Sequence, residues 1–96
     1  MPRYLVLIEE TDKGLAVIKD SPNRAAQFKA LAAQKGVTVE AQLWMFGDYD
    51  GALVLSAPTE EAVLGLVLHL DSLGYVHAHV SRAYDEAEFR ALVSKL

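Results

Sequence analysis

His77 and His79 stand two residues apart in the run Tyr75 to Arg82, which alternates apolar and polar side chains as a strand does. In extended backbone, residues i and i+2 share a face about 6.6 Å apart, so both imidazoles could reach one small molecule. An imidazole takes or gives a proton near neutral pH, which makes either one a candidate general base. A carboxylate or amide would have to orient it, and Glu40 or Gln42 on the second strand would serve. The same pair with Glu40 could hold a metal. Two ligands without a fixed third make a poor site, and no metal is expected. The plainer reading is two imidazoles that hydrogen-bond their neighbours.

Trp44 is either a stacking wall for a flat ligand or filler at an interface. Tyr49, between Asp48 and Asp50, belongs either to a binding loop or to a hairpin tip whose Asp side chains satisfy turn N–H groups. The ligand-binding candidates are therefore Glu40, Gln42, Trp44 and Tyr49. His69 has no ligand four residues away on either side and reads as a helix-face residue. No glycine-rich phosphate loop, Gly-x-Ser-x-Gly elbow or dinucleotide fingerprint is present, so no cofactor is expected.

The elements that must position these groups follow from periodicity and punctuation. Tyr4 to Glu9 is a β-run, with Tyr4 itself assigned to neither face. Thr11-Asp12-Lys13-Gly14 is turn chemistry, with one helical or irregular turn after it. Ser21-Pro22 reads as a helix start, with Ser21 as the cap. Ala25, Phe28, Leu31 and Ala32 form the buried stripe of that helix, with Arg24 outside it, and Gly36 ends it. From Val37 to Phe46, strict alternation puts Glu40, Gln42, Trp44 and Phe46 on one face. A hairpin loop at Gly47 to Gly51 leads to a short strand, Ala52 to Ala57. A helix from Pro58-Thr59-Glu60 to about Ser72 carries Val63, Leu66, Val67 and Leu70 inward, while Leu64 and Leu68 stand off that stripe. After the last strand, Asp85 and Glu88 form a capping box, and Phe89, Leu92, Val93 and Leu96 stripe a final helix.

The order β-α-β-β-α-β-α gives a ferredoxin-like α+β domain over residues 1–96, a four-stranded antiparallel sheet with both main helices on one side and a C-terminal helix. Its second face, bearing Glu40, Gln42, Trp44, Phe46, His77 and His79, has nothing within the unit to cover it. Aromatic side chains bury on the order of 150–250 Å² each, so a partner copy is expected there, making a homodimer or higher oligomer. The enclosed space between two sheets would hold a small ligand.

A formal charge of −4 without a basic cluster argues against nucleic acid. RNA-recognition domains of the same topology also need aromatics on the middle strands, and Ala52 to Ala57 has none. The longest apolar stretch, Val63 to Leu68, is too short for a membrane span. Cysteine is absent, which removes thiolate chemistry and allows a reducing compartment. Met1-Pro2-Arg3 runs straight into strand without an apolar signal core, so a cytoplasmic location is expected.

Several motifs together resemble the GYD-domain family. They are Tyr4 to Ile8, Thr11-Asp12-x-Gly14, Lys19-Asp20-Ser21-Pro22-x-Arg24-Ala25, Trp44, Gly47-Asp48-Tyr49-Asp50 with one residue inserted after the Gly, Ala57-Pro58, Ser72-Leu73-Gly74 and Arg82-Ala83-Tyr84. The resemblance implies a ferredoxin-like fold of the dimeric α+β barrel group, associating through the sheet face, with no assigned chemistry. Similar proteins carry Asn-Val-Arg where this chain has Tyr75-Val76-His77, and a hydroxyl residue in place of His79, so a site built on these histidines would be private to this chain. Three functions follow: a ligand-binding or regulatory module, a structural interaction module, or an enzyme. Related barrels include cofactor-free oxygenases and isomerases acting on small aromatic or acidic substrates.

Overall fold

The computed structural model describes residues 1–96. Its strands are β1 (Arg3–Glu10), β2 (Thr38–Trp44), β3 (Gly51–Ser56) and β4 (Val76–Ala83). Its α-helices are α1 (Asp12–Ala16), α2 (Ser21–Gln34), α3 (Glu60–Ser72) and α4 (Glu86–Val93), with a 3-10 turn at Ile18–Asp20. The sheet order is β2-β3-β1-β4, and every neighbouring pair is antiparallel. This is the ferredoxin-like order.

Register fixes what each face carries. Tyr4, Val6 and Ile8 of β1 lie opposite Leu55, Leu53 and Gly51 of β3, and opposite Arg82, Val80 and Ala78 of β4. These rows meet Phe28, Leu31 and Ala32 of α2 and Val63, Leu66, Val67 and Leu70 of α3 in one core. Tyr4 is thus a core residue. Thr59 caps α3 by accepting from the N–H of Ala62, and Glu60 and Glu61 occupy its positive end. Gly36 and Gly74, at φ of 74° and 82°, end the two long helices in a conformation that a side chain disfavours.

The opposite face carries Arg3, Leu5, Leu7 and Glu9 of β1, Ala52 and Val54 of β3, and His77, His79 and Ser81 of β4. No helix crosses it, so the molecule is a slab of 48 × 31 × 18 Å. Helix α4 does not fold back over the body: none of its residues is buried, and Leu64 and Leu68 stay uncovered. Its start carries the expected capping box, with Asp85 accepting from the Glu88 N–H and the Glu88 carboxylate from the Asp85 N–H. Charge ties it down, Arg3 lying 3.4 Å from Glu88 and 3.7 Å from Asp85.

Two local expectations fail. Ser21 is the first residue of α2 rather than its side-chain cap; the hydroxyl accepts the indole N–H of Trp44 instead, at 3.1 Å. Strict alternation along β2 also fails. Val39 pairs with Leu55 but Ala41 pairs with Val54, so Glu40 is an extra residue, a β-bulge. An odd insertion inverts every later side chain. Gln42 and Trp44 therefore lie beside Leu53 and Gly51, on the helix side of the sheet, while Leu43 takes the open face and is 60% exposed. Phe46 lies beyond the end of β2 and is fully exposed.

Candidate functional site

Two clusters of polar side chains emerge, one on each face of the sheet. On the open face, the Nε2 of His79 lies 2.5 Å from Oε1 of Glu9. A carboxylate accepts, so Nε2 is the donor in this contact and Nδ1 is the ring nitrogen that it does not engage. The His77 ring stands edge-on to His79 at 4.9 Å, and the Tyr49 ring is 5.4 Å from His79 on another side. His77 Nδ1 is 3.6 Å from Asp71 on α3. Asp71 also accepts the Ala78 N–H at 2.9 Å, satisfying a donor on edge strand β4 that would otherwise invite pairing.

The two histidines do share a face, and Tyr49 joins them. The expected orienting groups do not. Glu40 is held 3.2 Å from the Nε of Arg3, and Gln42 is on the other side of the sheet. Glu9 orients His79 in their place. It follows from the alternation of β1, which puts Glu9 in the same rows as Leu5 and Leu7. The histidines and carboxylates are not grouped in threes as a metal site would need.

The second cluster lies between the sheet and the N-terminal half of α2, around a cavity of about 380 Å³. Ile8, Phe28, Leu53 and Leu70 give it an apolar wall; Glu10, Arg24, Gln42, Trp44 and Tyr75 supply the polar groups. Gln42 donates to the Ala25 carbonyl at 3.4 Å, and Trp44 to Ser21. These two bonds fasten edge strand β2 to α2. Both residues therefore line a cavity, but not the sheet-face one expected from the sequence.

Glu10 and Arg24 are the residues that sequence reasoning missed. Their side chains are only 7% and 17% exposed, and the Arg24 Nη2 sits 3.8 Å from Glu10 Oε1, too far for a good hydrogen bond. Glu10 Oε2 and Arg24 Nη2 are buried without any partner. Burial pushes the Glu10 carboxyl up from its ordinary range; Arg24 pulls it back and Asp50 adds to the rise. Arg24 spends its other amino group on the Val17 carbonyl at 3.1 Å and lies over the Tyr75 ring, 4.6 Å from its centre. The signals were there. Period two from Tyr4, Val6 and Ile8 lands on Glu10, and Arg24 precedes Phe28 by four residues, on the same helix face.

The architecture defines an α+β slab with one helix layer, one uncovered sheet face and a cavity under α2. The GYD domain matches residues 4–93, and the chain belongs to that family. It is similar to a protein of Thermus thermophilus named "Glutamine synthetase and cystathionine beta-lyase binding protein", with 33% identity over 92 residues, 95% of this chain and 97% of that one. No solved structure matches. No helix is long and apolar enough to cross a membrane.

Proposed function

We propose that this chain is a self-associating regulatory module that acts by binding another protein. The observation that carries this is unspent surface. The chain exposes 6349 Å², whereas a compact monomer of 10.5 kDa exposes about 5,400 Å². The excess is close to the roughly 800 Å² that one partner contributes to a standard interface. Only 14 of 96 residues are buried, and the 14.3 Å radius of gyration exceeds the roughly 12.5 Å of a compact chain this long. A second copy on the open sheet face, across Leu5, Leu7, Val54 and Leu43, would cover part of that surface. The space between the sheets would be lined by His77, His79, Tyr49 and Glu40. The exposed stripe Phe89, Leu92 and Val93 of α4 then remains for a different protein. The name of the Thermus relative supplies the partners to try first.

The test is binding of purified glutamine synthetase and cystathionine β-lyase from the same organism to the immobilised chain. The expected result is saturable binding of at least one enzyme with a change in its kcat or KM. Absence of binding by both, with the chain monomeric at high concentration, overturns the proposal.

The His79–Glu9 contact supports a second reading, an enzyme in which His79 Nδ1 takes a proton from a small aromatic or acidic substrate. Loss of turnover in His79→Ala with the fold intact would favour it.

A further inference from the structure

We propose that the cavity between α2 and the sheet is a binding site for a small uncharged apolar molecule, seated against Trp44. Its wall is hydrocarbon: Ile8, Phe28, Leu53 and Leu70 all line it, and Phe28 and Leu53 belong to the buried core. A packed core leaves few voids larger than a water molecule. A space of about 380 Å³ is of another order and suits a small ligand.

Trp44 closes the side of the cavity toward the sheet edge. Its indole is anchored at both ends, by the backbone on β2 and by the Nε1–H that donates to the Ser21 hydroxyl on α2 at 3.1 Å. The ring therefore spans the gap between sheet and helix. Trp44 is 56% exposed, yet the hydrogen bond holds it in one orientation. Such a ring is a preformed wall, whose ordering a ligand does not have to supply.

The charged residues of the lining decide what the cavity refuses. Glu10 Oε2 and Arg24 Nη2 have no surface open to it, and Glu10 Oε2 lies against Gly14, outside the lining. The other polar groups are committed within the chain. Asp20 accepts from Asn23 at 2.9 Å and Asp50 from the Glu10 N–H at 2.7 Å; Arg24 donates to the Val17 carbonyl at 3.1 Å and Gln42 to the Ala25 carbonyl at 3.4 Å. A polar head group would find few free partners there. An anion would meet the field of Glu10, Asp20 and Asp50, and a cation that of Arg24, each after losing its own hydration. An uncharged apolar body meets neither penalty. The site lies across the sheet from the open face, so its occupancy and the protein-binding function can fail independently.

Trp44 is the chain's one tryptophan, so its indole N–H gives a single assignable resonance. Toluene, benzoate and benzylamine share one ring and differ in charge at neutral pH. Titrated into the full chain, toluene should shift that resonance saturably and bind at least about tenfold tighter than either charged probe. Ala25→Leu puts a larger apolar side chain into the lining and should weaken toluene binding at least about tenfold by calorimetry. Trp44→Ala, outside the core cluster, removes the wall and should weaken it comparably; it serves if Ala25→Leu fails to fold. The proposal is overturned if toluene gives no saturable shift. It is equally overturned if the three probes bind within about a factor of two, or if either variant, folded, binds toluene like the parent.

Discussion

Leu5→Glu is the substitution that most directly tests the pairing of two copies. Leu5 lies on central strand β1, on the open face, opposite Val54 and Ser81, and it is 37% exposed in the single chain. Covering that remainder is worth about 1 kcal/mol. A glutamate there forfeits this and adds a desolvated carboxylate, at roughly 1–3 kcal/mol. A twofold interface presents the same patch from both copies, so each loss counts twice. The sum is about 4–8 kcal/mol, a thousandfold or more in the dimer Kd. The folded single chain loses less, because Leu5 lies on the open face and outside the core cluster. Sedimentation velocity over a wide concentration series measures the association, and the thermal midpoint of the dilute sample checks the fold. A parent chain that stays monomeric throughout, or a variant that associates as tightly as the parent, refutes the reasoning.

Gly14→Ala should destabilise the fold by about 2–4 kcal/mol. Its Cβ would stand 2.1 Å from the Tyr75 carbonyl oxygen and 2.6 Å from Glu10 Oε2, and that carbonyl is pinned by the Thr11 N–H and hydroxyl at 3.0 and 3.1 Å. Urea unfolding measures this, and a loss below about 0.5 kcal/mol contradicts it. Leu55→Ala, at a fully buried position, should cost about 2–5 kcal/mol, whereas Leu68→Ala, 70% exposed, should stay within about 0.5. A pH series on Glu10→Gln isolates the buried carboxyl. Because burial raises its pKa, the native state holds the proton more tightly than the unfolded chain. Parent stability therefore falls as pH climbs from the ordinary glutamate range to the raised value, and stays lower above it. The parent-minus-variant difference in urea midpoint should show that descent; a pH-independent difference would contradict it.

Most of the fold was legible because the signals were local and agreed with one another. The stripe Val63, Leu66, Val67, Leu70 and the Asp85–Glu88 capping box each depend on a few consecutive residues. The bulge was not legible. Nothing in Val39-Glu40-Ala41 marks an extra residue, since the offset exists only relative to β3. Everything downstream on β2 was consequently assigned to the wrong side. Ser21 misled for a related reason: its type suits a cap, but a tryptophan distant in sequence takes the hydroxyl. The Glu10–Arg24 pair needed only the periodicities already in use, continued past the point where apolar residues stop.

The slip at Glu40 makes a single edge strand serve two masters. Glu40 itself faces the bare sheet and binds Arg3; beyond it the shifted alternation turns Gln42 and Trp44 to the interior under α2 and Leu43 to the exterior. A one-residue deletion at that point would undo the division. It would carry the indole out to the exterior and leave the chamber without its rim, a large redistribution of function for the loss of three nucleotides.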